Sequence, residues 1–124
     1  MKSLKNIDKS LVVEWILRIA IFGEFFGHGV FAWGVKESWV EYFTAVGFSA
    51  DTALQLMPVI GAADIILAVL VLIRPVPVFL LWMAVWGFVT ALIRPIAGDP
   101  IWDFVERWAN WGAPLALYFF IKKK

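Results

Sequence analysis

Apolar residues fill four long stretches of this chain, at about 11–33, 52–73, 77–93 and 101–121, and short polar or turn-forming segments separate them. A helix rises about 1.5 Å per residue, so a stretch of roughly 20 residues matches a hydrocarbon core of about 30 Å. The pattern therefore predicts four membrane-spanning helices in one domain over 1–124. The segment 34–51 (GVKESWVEYFTAVGFSAD) is too polar to span. Its Trp39, Phe43 and Val46 recur at i, i+4 and i+7, the spacing of a short interfacial helix, and aromatic residues there fit the belt found at membrane surfaces. The segments RPVP at 74–77 and RPIAGDP at 94–100 read as tight turns, with Pro and Gly as breakers. The expected fold is an all-α, four-helix antiparallel transmembrane bundle with one interfacial helix in its first loop.

Composition agrees with that class. The 124 residues are 62% hydrophobic and include 8 Trp and 11 Phe. Mean hydropathy is +0.82. A soluble domain is usually about 45–50% apolar. The net charge of +1 offers no electrostatic case for nucleic acid. There is no cysteine, which excludes disulfides, thiolate metal sites and haem attachment through Cys. The first ten residues are polar and the apolar run after them is too long for a signal h-region, so no cleavable signal is expected. Lys2, Lys5, Lys9, Arg74 and the lysines at 122–124 fall on one side of the predicted spans, and Lys36 and Arg94 on the other. The positive-inside rule then puts both termini in the cytoplasm of a bacterial-type inner membrane.

The charges inside the spans change the picture most. An ionisable group at the middle of a bilayer costs about 2.5–3.5 kcal/mol on insertion scales, so such groups are expected to face the bundle interior. At 100° per residue, Glu14, Arg18, Glu24 and His28 share one face of the first span within about 120°, and Asp103, Glu106, Arg107 and Asn110 share one face of the last within about 100°. Depth sorts them into two levels. The inner level holds Glu14, Arg18 and Asp64, where an Arg18–Asp64 pair that fixes helix register is expected. The outer level holds Glu24, His28, Gln55, Thr90, Arg94, Asp103, Glu106, Arg107 and Asn110. Asp103–Arg107 and Glu106–Asn110 are i, i+4 neighbours that could satisfy one another. The set is nonetheless larger than register needs, and it points to a polar cavity that opens outward.

Metal and haem fit the residues poorly. The di-iron bundle pattern needs two Glu-x-x-His motifs and the chain has none, and one histidine cannot form a bis-histidine haem site. No Ser, Thr or Lys stands at a helical interval from His28, which argues against nucleophilic catalysis. The tryptophans at 82, 86, 102, 108 and 111 serve packing, interfacial anchoring or an aromatic wall for a flat ligand.

Three segments carry a family resemblance. LRIAIFGEFFGHGVFAWG resembles the opening helix of the DoxX-like family of small membrane proteins. EYFTAVGFSADTALQLMPVIGAADIILAVLVLI resembles its loop and second span, with Asp64 where many members have Glu. DFVERWANWGAPLALYFF is similar to the closing helix of some bacterial members. The resemblance implies a compact four-helix membrane bundle and, for some relatives, an association with membrane redox systems.

The expected function is the binding of a small, partly polar, quinone-like ligand in the outward cavity, as a non-catalytic accessory of a membrane oxidoreductase. Glu24, His28, Arg94, Asp103, Glu106, Arg107 and Asn110 form the expected site. Glu24, His28 and Glu106 would meet or protonate the head, and Arg94 and Arg107 would hold an anionic oxygen. Without a redox motif of its own, the chain would need a membrane or redox protein as partner. A membrane scaffold or assembly factor is the competing reading, and a transporter or proton relay the third. Homo-oligomerisation stays open.

Overall fold

The computed structural model describes residues 8–122, and every regular element among them is helical. The elements are α1 (Lys9–Trp33), a 3₁₀ turn (Glu37–Trp39), α2 (Val40–Thr44), α3 (Ala50–Ile73), α4 (Pro77–Ile96), α5 (Ile101–Val105) and α6 (Trp108–Lys122). α3 and α4 are long and apolar enough to cross a membrane. The tail lysines at 2, 5, 123 and 124, which weigh in the orientation argument, lie outside the described residues.

Local chemistry sets the ends. Asp8 caps α1 by accepting from the Ser10 amide, and Ser49 caps α3 by accepting from Thr52. Pro77 opens α4 at a position where its missing N–H costs nothing. Three helices close with the same paired hydrogen bonds. At the end of α1, Lys36 N–H reaches Phe31 and Val35 N–H reaches Ala32. After α2, Phe48 reaches Phe43 and Gly47 reaches Thr44. After α4, Asp99 reaches Arg94 and Gly98 reaches Pro95. This is the Schellman arrangement, whose penultimate residue is left-handed. Gly47 (φ 103°) and Gly98 (φ 106°) supply it freely, whereas Val35 (φ 55°) adopts it with a β-branched side chain.

Two antiparallel pairs make up the body. α1 packs most closely on α3, and α4 on α6, while α1 and α6 join the pairs. Each pair closes at a glycine. A Cβ on Gly61 would run into the backbone of Gly29 and Trp33, and one on Gly87 into the carbonyl of Asn110. Pro114 cannot donate to that carbonyl, so it is free to lie against α4. The core combines Ile21 and Phe25 of α1, Ala68 and Val71 of α3, Leu80 and Met83 of α4, and Leu117 of α6. By contrast α3 and α4 touch only sparsely, although the segment 74–76 joins them.

The last stretch departs from the expected continuous helix over 101–121. It is two helices broken at Glu106 and Arg107. The Arg107 backbone N–H bonds Phe104, and its guanidinium takes the Asp103 carbonyl that the next helical turn would have used. A side chain has thus replaced a backbone donor.

The inner polar level also differs from expectation. Arg18 does not pair with Asp64. Its guanidinium meets Glu14 at 3.1 Å, donates to the Val71 carbonyl at 2.8 Å and to the Leu72 carbonyl, and lies 3.9 Å over the Trp15 ring. The last carbonyls of α3 lack intrahelical donors, and a cation there also suits the helix dipole. Arg18 therefore fastens α1 to the end of α3, while Asp64 lies two turns away and is free for another role.

Candidate functional site

A cavity of about 220 Å³ lies at the end of the helices where α1 finishes and α3 begins. α1 gives it His28 and Ala32. α3 gives Met57, Ile60 and Asp64, one helical face at i, i+3 and i+7. α4 gives Trp86, Val89, Thr90, Ile93 and Arg94, again one face. The connection between α1 and α3 forms the roof, with Trp39, Tyr42, Phe43 and Phe48 turned inward. The Phe43–Phe48 contact at 6.2 Å, which belongs to the helix-closing motif after α2, fixes the shape of that roof.

Arg94 dominates the mouth. Its Nη1 donates to the Tyr42 hydroxyl at 3.0 Å, and that hydroxyl donates to the Asp99 carboxylate at 2.8 Å. The guanidinium stacks 4.6 Å from the Tyr42 ring and 5.8 Å from Trp39. Its Nε is buried and has no protein hydrogen-bond partner. A buried cationic donor left unpaired is costly. The motif that ends α4 folds Asp99 back over Arg94, which is how two residues of one turn both reach Tyr42. Burial, with the bond to Asp99 second, raises the Tyr42 hydroxyl above its ordinary pKa of 10.0, against the opposing charge of Arg94. The phenol is therefore a neutral donor throughout the ordinary pH range.

Below the mouth the surface is mostly aromatic and aliphatic. His28 faces Trp39 at 5.5 Å and feels the positive charges of Arg94, Arg107 and Lys36. Asp64 is 5% exposed, and Trp86 of α4 stands beside it under the cavity. Glu24 sits close enough to Asp64 for the two carboxyl groups to interact, one layer deeper than the cavity wall. Such a chamber, apolar with a few convergent polar groups, is the usual form of a small-molecule site.

No family model, curated protein or solved structure matches the chain.

Of the residues expected to form one cluster, His28 and Arg94 line the cavity and Glu24 lies near its floor. Asp103, Glu106, Arg107 and Asn110 do not line it. The break in the last stretch turns Glu106 outward, where its carboxylate meets Arg107 at 2.7 Å with a 63% exposed side chain. Arg107 is spent on that pair and on the Asp103 carbonyl, and the Asn110 backbone is spent on packing against Gly87. Gln55 is exposed, whereas Thr90 is on the wall as its depth suggests. Sequence reasoning missed Tyr42 on the roof and Asp99, which holds it from outside the chamber, and it gave Asp64 to the inner level as the partner of Arg18. The Trp39–Phe43–Val46 stripe was visible, but it roofs the cavity. Of the tryptophans expected to flank a ring, only Trp86 lines this chamber, and Trp39 joins it from the loop.

Proposed function

We propose that this chain is a four-span membrane protein of the DoxX-like type that holds a small amphiphilic ligand, of the quinone class, in the cavity beneath the α1–α3 connection. The observation that carries this reading is Arg94, a cation on the cavity wall set among aromatic rings. A carbonyl or anionic oxygen suits such a guanidinium. Trp39, Phe43 and Trp86 suit a flat ring, Met57 and Ile60 suit an apolar tail, and His28 stands beside the head. The carriage in a membrane is supported by the outer faces of the helices. Ile16, Ile19, Val59, Ile73, Val78 and Phe119 are all more than half exposed, and a soluble fold would bury such a surface. Because the chain supplies no redox group, its part in electron transfer would be to present or store the ligand for a partner enzyme.

Mass spectrometry of protein purified in mild detergent tests this. The expected result is a near-stoichiometric quinone or other oxygen-headed lipid in the wild type and in Glu106→Gln, and its loss in Arg94→Gln. Ligand-free wild-type protein that also fails to take up added decyl-tailed benzoquinone overturns the reading.

A further inference from the structure

On the loop side the cavity is covered by the α1–α3 connection, and on one flank few contacts close it. On the loop side, the connection between α1 and α3 covers it with Trp39, Tyr42, Phe43 and Phe48. That cover is fastened to the α4 turn by two consecutive hydrogen bonds, Arg94 to Tyr42 and Tyr42 to Asp99. On the flank, α3 and α4 are joined by the short 74–76 segment and touch only sparsely, and the cavity lies between their ends away from that segment. The tight helix crossings, at Gly29–Gly61 and at Gly87–Asn110, are within the α1/α3 and α4/α6 pairs, and neither draws α3 onto α4. The Asp64–Trp86 contact bounds the gap below. Ile60 on one side and Val89 on the other are apolar, and Val89 is 45% exposed.

We propose that the ligand enters sideways, from the hydrocarbon phase through the gap between α3 and α4, and that the site therefore selects lipid-dissolved molecules over water-soluble ones. This rests on the cavity being a ligand site in a four-span protein. The physical reason is the difference between the two barriers. Entry from the loop side must break the Arg94–Tyr42–Asp99 chain and lift four aromatic side chains. Entry from the flank displaces lipid tails from an apolar slot and breaks no hydrogen bond. A tailed ligand would also keep its chain in the slot, with its head at Arg94.

Stopped-flow quenching of tryptophan fluorescence by decyl-tailed benzoquinone, with the protein in phosphatidylcholine vesicles, separates the routes. Val89→Phe narrows the gap from α4, and Ile60→Phe narrows it from α3 should the first variant fold poorly. Asp99→Ala removes one of the two bonds that fasten the cover, at a residue outside the chamber wall. The expected result is that the gap variants slow association at least tenfold and slow dissociation with it, as a narrowed passage must, while Asp99→Ala stays within twofold of wild type. Wild-type rates in both gap variants, or association speeded at least tenfold by Asp99→Ala, overturn the lateral route and assign entry to the loop side. Absence of saturable quenching in the wild type overturns the ligand reading itself, a separate result from either change in rate.

Discussion

Val35 holds a left-handed backbone with a branched side chain, next to the loop that covers the cavity. The left-handed region costs an L-residue about 1–2 kcal/mol, and glycine gives back about 0.5–1 kcal/mol through its freer unfolded chain. Val35→Gly should therefore raise stability by up to about 1 kcal/mol, read as a higher midpoint in reversible detergent unfolding. An unchanged or lower midpoint would show that the Val35 side chain repays its strain. Tyr42 gives a pH prediction. Its pKa is raised in the fold, so the stability tied to the protonated phenol is complete below the unfolded value and is lost as pH rises through the folded one. Ultraviolet titration at alkaline pH should show a phenol that ionises late and is missing from Tyr42→Phe, and a difference spectrum with an ordinary tyrosine midpoint would contradict this. The sequence made His28, Thr90 and Arg94 legible because helical periodicity and depth place them. It hid Tyr42 and Asp99, because their meeting depends on how two separate connections fold over one another.

At the level of helices, glycine use divides into tight and open positions. Gly61 and Gly87 sit where another backbone leaves no room for a Cβ, while Gly23 and Gly27 face open space. Overpacking typically costs about 1–3 kcal/mol. Gly61→Ala and Gly87→Ala should each lose stability in that range, and Gly23→Ala should be neutral or slightly stabilising. Equal effects at all three would contradict the assigned crossings. The Arg18 contacts make a second prediction. Removing one member of a buried pair costs about 3–5 kcal/mol in comparable sites. Arg18→Met and Glu14→Gln should be strongly coupled in a double-mutant cycle, whereas Arg18→Met and Asp64→Asn should add independently. Coupling to Asp64 in place of Glu14 would restore the pairing that depth alone suggests. Four apolar stretches were readable as helices because their hydrophobic runs are long. The break at Glu106 and Arg107 was not, since it depends on a guanidinium capturing a backbone carbonyl, which leaves no periodic trace.

For the molecule as a whole, the cavity lies between the two helix pairs, and Tyr42, Arg94 and Asp99 gather at the end where α1 finishes and α3 begins. Asp103, Glu106, Arg107 and Asn110 share that depth but fall outside the chamber, because depth and helical face locate a residue only while the helix is unbroken. The central claim is that Arg94 and its aromatic surround make a ligand site. An equilibrium titration of decyl-tailed benzoquinone, followed by tryptophan quenching on samples whose folded fraction is also measured, tests it most directly. Saturable binding is expected of wild type and of Glu106→Gln, and at least tenfold weaker binding of folded Arg94→Gln, a loss of about 1.4 kcal/mol or more. Equal affinity in wild type and folded Arg94→Gln would contradict it.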